Sequence, residues 1–282
     1  MSAARAESLE RKAAAGPRGP GRYALIATAG LYAAVLLVAP LAAIFWGSLA
    51  EGFDAFTREL TSPDAVSSLE LTMVMALGAT VINTVLGLCI AWVLVRDSFW
   101  GKRILNGLVD LPFAVSPVIA GFMLILLFGR GGWFEPALAA LGIKVVFSWP
   151  GILIATTFIS LPFVVREVMP VLEQVSRDQE DAARTMGATA WQTFRHVTLP
   201  AIRWGLLYGV SLTFARAVGE IGAVLVVSGG VSHSTETSTL YILRSLDDRN
   251  YTGAYAMAVV LAAVSFVMLM VIEAIKKRAG KR

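Results

Sequence analysis

Six apolar runs, at residues 23–46, 69–95, 108–128, 145–165, 204–227 and 254–272, alternate with polar segments along the 282 residues. At ~1.5 Å rise per residue each is long enough to cross a hydrocarbon core of ~30 Å. The pattern therefore predicts an all-α integral membrane protein with six transmembrane helices. A polar insert between the fourth and fifth runs, residues 178–200, reads DQEDAARTMGATAWQTFRHVTLP and is itself prone to helix. Ser176 stands three residues before Gln179, the spacing of a capping box, and Asp178, Glu180 and Asp181 fill a first turn where the helix dipole favours negative charge. Ala182 and Ala183 give this short helix a low-profile face. Gly187 permits a sharp break, Thr189 can cap a second helix running through Phe194, and Pro200 is expected to end it. The insert reads as helix, turn, helix at the membrane surface, where something soluble can dock.

Composition agrees with a membrane: 56% of residues are hydrophobic, 16% are charged and mean hydropathy is +0.69, against about 25% charged in a soluble domain. That excludes a soluble enzyme. Eighteen basic residues fall in the N-terminus, 96–103, 166–203 and the C-terminus, and five in the opposite loops, which places both termini and the insert in the cytoplasm. The net charge of +4 thus reports topology, and basic residues split among four juxtamembrane sites do not make a nucleic-acid surface. Residues 1–21, rich in Ala, Gly, Arg and Pro, are expected to be a disordered basic cytoplasmic tail ahead of a six-helix domain over 22–282. The first apolar run is too long for a cleaved leader and is read as a retained helix. Cys89 is the single cysteine, and His196 and His233 lie on opposite sides of the membrane, so no metal or redox cluster is expected.

Inside the third run, Pro112 and Pro117 are candidate helix kinks, either for packing or to bend the helix along a pathway. Pro162 and Pro170 pose the same question in the fourth. Arg216 and Glu220, four residues apart, are each costly in a bilayer and must face protein or water. They read as an ion pair that fixes helix register, or as part of an anion's path. Gly205 with Gly209, and Gly219 with Ala223, offer small residues for close helix approach. The 228–253 segment, with Leu240, Leu243 and Leu246 at helical spacing, is expected to fold over a pore mouth, meet a partner or lie as an amphipathic helix at the interface. Residues 47–68, with Glu59 and Asp64, belong to the same outer surface. There is no phosphate-binding Gly-x-x-x-x-Gly-Lys-Ser/Thr loop, so ATP is not hydrolysed by this chain through that route.

Asp181-Ala182-Ala183, Gly187 and Val197-Thr198-Leu199-Pro200 reproduce the spacing of the Glu-Ala-Ala loop of ATP-binding-cassette (ABC) importer permeases, which this chain resembles. The departure is Asp181 in place of the family's Glu, with Glu180 beside it. The resemblance implies a type I ABC importer permease fold whose coupling loop, about 174–202, meets an ATPase through Glu180, Asp181, Ala182, Ala183, Gly187, Leu199 and Pro200. Leu111-Pro-Phe-Ala-Val-Ser-Pro-Val, Phe147-Ser-Trp-Pro-Gly, Pro162-Phe-Val-Val-Arg-Glu and Ala215-Arg-Ala-Val-Gly-Glu-Ile-Gly-Ala-Val extend the likeness to the W-type permeases of bacterial sulfate/thiosulfate importers. Ile221 replaces the Phe usual there.

Such a resemblance implies a non-catalytic inner-membrane subunit that translocates sulfate and thiosulfate. Its partners would be a second permease of the T or U type, an ABC ATPase dimer, a periplasmic sulfate-binding protein and membrane lipid. It implies no cofactor in this chain, ATP and Mg being bound by the ATPase. The alternatives are a molybdate or tungstate permease, which shares the Arg and Gly-Glu-x-Gly-Ala pattern, and a standalone anion channel or carrier. The latter would need a relay of intramembrane carboxylates beyond Glu220 and Asp110.

Overall fold

A computed structural model describes residues 20–279, which are helical apart from short connections. The expected tail lies outside these residues except for its last two, which open the first helix. Helices α1 (Pro20–Ala33) and α2 (Ala39–Ser48) are joined by a π-helical segment, Ala34–Val38, into one rod. They are followed by α3 (Phe53–Leu60), α4 (Pro63–Arg96), α5 (Lys102–Ala114), α6 (Pro117–Phe128), α7 (Glu135–Ala140) and α8 (Trp149–Gln174). Next come α9 (Arg177–Thr185), α10 (Ala190–Thr193), a second π segment (Phe194–Thr198), α11 (Leu199–Val218), α12 (Gly222–Val227), α13 (Ser238–Asp247) and α14 (Tyr251–Ala279).

Four helical stretches, Gly21–Ser48, Pro63–Arg96, Trp149–Gln174 and Tyr251–Ile275, are long and apolar enough to cross a membrane singly. The other two of the six expected spans are interrupted. The run 108–128 is split into α5 and α6, bent by 115° across Val115 and Ser116, so that the pair makes at most one broken span. The bend lies between the two candidate kinks: Pro112 sits within α5, and Pro117 opens α6 where its missing N–H costs nothing. The run 204–227 is split at Gly219–Ile221, between α11 and α12. In contrast, α8 runs uninterrupted through Pro162 and Pro170.

Pro200 does not stop the helix that begins at Ala190; the chain continues through it into α11. The π segment explains why. Leu199 N–H bonds to the carbonyl of Phe194, five residues back, and the widened turn makes room for a ring that would otherwise run into the carbonyl four residues before it. The same device recurs ahead of Pro40, where Ala39 N–H bonds to Ala34.

The core is built on α8. Val164, Val165, Val168 and Leu172 pack against Ala91 and Leu94 of α4, Val109 of α5 and Ile202 of α11. Glycines allow the helices to come this close. A Cβ on Gly205 would lie 2.8 Å from Val171 Cγ2 and 2.9 Å from the Glu167 carbonyl oxygen, and one on Gly87 would lie 2.8 Å from Val164. Lipid gives no hydrophobic drive between helices, so small residues and close van der Waals contact hold them. The outward faces expose Leu36, Phe45, Phe122, Leu126 and Phe266, which suits hydrocarbon and not water.

Two alanine substitutions separate contact from helix propensity. Gly205→Ala is expected to destabilise the protein by about 1–3 kcal/mol through overpacking. Gly107→Ala, where nothing lies within 4 Å of the added carbon, should leave or raise stability. Thermal unfolding in detergent followed by size exclusion reads both.

Candidate functional site

The polar insert folds as a hairpin of α9 and α10. Ser176 caps α9 by accepting the Asp178 N–H at 3.1 Å, a simple cap and not the box with Gln179 that the spacing suggested. The reciprocal box forms one helix later, where Gln192 N–H donates to Thr189 Oγ1 at 3.3 Å and Thr189 N–H to Gln192 Oε1 at 2.8 Å. Between them the chain reverses at Gly187, with φ +90°. Ala188 N–H bonds back to Ala183 O at 3.0 Å and Gly187 N–H to Arg184 O at 2.9 Å, the paired bonds of a Schellman cap. A Cβ on Gly187 would meet nothing within 4 Å, so the requirement there is conformational and not steric.

Two neighbouring carboxylates have opposite settings. Glu180 is turned inward: its Oε1 receives Arg96 Nη2 at 2.7 Å and Thr198 Oγ1 at 3.0 Å, and the Arg96 and Glu180 side chains are only 8% and 5% exposed. Arg96, the last residue of α4, also donates to Val175 O at 3.1 Å, and Arg177 Nη2 donates to Arg96 O at 2.6 Å. Trp92 adds an edge-on contact with Phe194, which stacks on Trp191. The hairpin is thus latched to the end of α4 by charge, hydrogen bonds and rings. Asp181 instead faces out, its side chain 68% exposed and 3.8 Å from Arg184. With it on the open face lie Ala182, Gly187, Met186 and Trp191, while Ala183 is buried, Leu199 is half-buried and Pro200 is exposed. A cleft of about 270 Å³ opens beside the latch, lined by Arg96 and Glu180 themselves and by Trp92, Asp97, Arg177, Asp181 and Arg184.

Arg216 and Glu220 meet as expected but not on one helix, because Glu220 lies in the break after α11. Arg216 Nη1 is 2.6 Å from Glu220 Oε2 without hydrogen-bond alignment, so this oxygen has a counter-charge but no aligned donor. Glu220 Oε1 accepts the Ala223 N–H at 2.9 Å and its backbone carbonyl accepts Thr239 Oγ1 at 2.8 Å. One buried residue therefore joins α11, α12 and α13.

Residues 83–281 match the family described as "Binding-protein-dependent transport system inner membrane component". The chain belongs to that family. This permease is 46% identical to the sulfate transport system permease protein CysW of Synechocystis over 92% of its own length and 94% of the relative's. It is 38% identical to the sulfate transport system permease protein CysT of Escherichia coli K12, over 93% and 95%. A crystal structure of a bacterial ABC transporter involved in the import of alginate superposes with TM-score 0.75 at 18% identity, covering 91% of this chain and 94% of that one. The fold is that of a type I ABC importer permease, and a permease is a non-catalytic membrane subunit.

Of this permease's important contacts, sequence reasoning missed Arg96, the counter-ion of Glu180, which lies 84 residues away from it in the chain. It also missed the clamp between Arg166 and Asp110, with bonds of 2.7 and 2.5 Å, which ties α8 to α5 and removes Asp110 as a free carboxylate. At the opposite end, α13 is not an interfacial surface helix: Ser238, Thr239, Leu240 and Tyr241 are buried, and Ser238 N–H donates to Thr72 Oγ1 on α4 at 2.7 Å. Arg244 binds Glu236 at 2.6 Å and Asp64 at 3.1 Å, and the bond to Glu236 first of all pushes the guanidinium pKa upward. The 47–68 segment thus joins the same surface through Asp64, and through Glu59 bonded to Asn250.

Removing one member of the latch should cost far more than removing the exposed carboxylate. Glu180→Gln leaves Arg96 buried without its counter-charge, at about 3–5 kcal/mol, and pairing Glu180→Leu with Arg96→Met should recover most of that. Asp181→Asn should change stability by less than about 0.5 kcal/mol. Thermal unfolding of the three variants beside the wild type reads these differences. Separately, Gly187→Ala should destabilise the hairpin by about 1–2 kcal/mol through its left-handed backbone alone, with Gly187→Asn milder, as read by protease susceptibility of the insert.

Proposed function

We propose that this chain is one permease of an ATP-driven importer that carries sulfate, and with it thiosulfate, across the bacterial inner membrane. The observation that carries the reading is the latched hairpin, a rigid polar projection whose outer face is open for an ATPase, on a chain 46% identical to a sulfate permease along nearly its whole length. The hairpin and both termini lie in the cytoplasm, in keeping with the eighteen-to-five bias of basic residues. Relatives named CysW and CysT both align over more than nine-tenths of the chain, which favours a pair of homologous permeases per importer. A dimeric ATPase, holding ATP and Mg, and a periplasmic sulfate-binding protein complete the assembly.

ATP binds the closed ATPase dimer more tightly than the open one, and that difference in affinity is what can shift the permeases between states. Asp181, Ala182, Met186 and Trp191 meet the ATPase, and Gly187 holds the turn between them. Glu180 passes the displacement to Arg96 and so to the full length of α4. Arg216, paired with Glu220, keeps the break between α11 and α12 in one geometry.

Uptake of radiolabelled sulfate into vesicles holding this chain, a CysT-like permease, the ATPase and the binding protein is expected to require all four components and ATP. Asp181→Lys should cut uptake at least tenfold in complexes that still assemble. Molybdate uptake by this chain without a second permease would overturn the reading in favour of a molybdate permease.

A further inference from the structure

At the end of the molecule opposite the hairpin, the connection between α6 and α8 encloses a cleft of about 730 Å³ that the transport reading does not use. Its wall is apolar where the helices end, with Ile125, Phe128 and Ile143, and its rim carries Arg130 and Lys144. Neither side chain has a carboxylate partner among the described residues, although Glu135 lines the same cleft. The Glu135 carboxylate is engaged by the Gly131 N–H. The contrast with Arg244 at the same end is sharp, since that cation is matched by both Glu236 and Asp64.

Large exposed aromatic rings stand in the lining of the cleft or within two residues of it along the chain. Trp133 is 84% exposed and Trp149 57%, with Phe134 and Phe147 beside them. Tryptophans at the ends of apolar spans sit at the level of lipid headgroups. The cleft therefore combines, at that level, an apolar wall of a size suited to acyl chain and a net positive rim.

We propose that this cleft binds an anionic phospholipid, its phosphodiester on Arg130 and Lys144 and its acyl chain along Ile125, Phe128 and Ile143. The site is independent of which oxyanion is transported. Charge complementarity selects the occupant: a zwitterionic lipid would present a choline cation to an already positive rim, and a free oxyanion would leave the apolar wall unfilled.

The test uses the full chain extracted with the subunits that copurify with it, delipidated and titrated with phosphatidylglycerol or phosphatidylcholine under native mass spectrometry. Wild type is expected to retain phosphatidylglycerol in preference to phosphatidylcholine. Arg130→Gln with Lys144→Gln should bind it roughly thirtyfold more weakly, at about 1 kcal/mol for each charge near an anionic lipid. Exchanging the cations, Arg130→Lys with Lys144→Arg, should restore binding. Equal retention by wild type and the double Gln variant would overturn the site. So would equal affinity for the two lipids, or inorganic sulfate displacing the bound lipid at millimolar concentration, which would make the occupant a free oxyanion.

Discussion

Hydrocarbon offers no hydrogen bonds, and the two broken apolar runs of this chain are shaped by that constraint. The break between α11 and α12 is bridged from three sides. Glu220 N–H reaches Ala217 O, its carboxylate takes the Ala223 N–H, and its own carbonyl receives Thr239. At the α5–α6 bend, Val115 N–H still reaches Leu111 O and Ala120 N–H reaches Ser116 O, so backbone bonding continues to either edge of the turn. The two broken segments then close on each other: a Cβ on Gly222 would lie 2.7 Å from Pro117, and one on Gly121 would lie 2.9 Å from the Ala223 carbonyl. Irregular backbone is tolerated here because other backbone covers it.

The hairpin solves a different problem, that of making a short polar excursion stiff. Helices of nine and four residues are too short to hold themselves in water. They are held by a Schellman turn, a capping box and, above all, by Glu180 drawn back to Arg96. A single acidic pair in the sequence thus divides its work. Glu180 fastens the projection to the body of the protein, and Asp181, one position on and so about 100° around the helix, is free to face a partner.

Much of this was legible in the sequence because it rests on local rules. The lengths of the apolar runs, the positions of Gly187 and Thr189, and the motif spacing from Asp181 to Pro200 are all properties of neighbours along the chain. What was not legible was set by distance in the fold. Arg96 carries no mark that singles it out from other basic residues at span ends, and its role appears only when α8 brings Val175 and Glu180 to it. Pro117 announced a disturbance but not a 115° bend, since that angle depends on α6 finding α12 to pack against. The choice of Thr189 over Ser176 for the capping box depended on whether Gln192 or Gln179 could turn back, which spacing alone does not decide.

The π segments ahead of Pro40 and Pro200 change more than local hydrogen bonding. One additional residue in a turn advances the angular position of everything beyond it by about 100°. The azimuth of the hairpin relative to α11, and hence the compass direction in which Trp191 and Asp181 point, is therefore fixed by residue count within 194–198. A loop transplanted between permeases without those five residues would lose Val197 and Thr198 and aim the rest of its motif at the wrong neighbour.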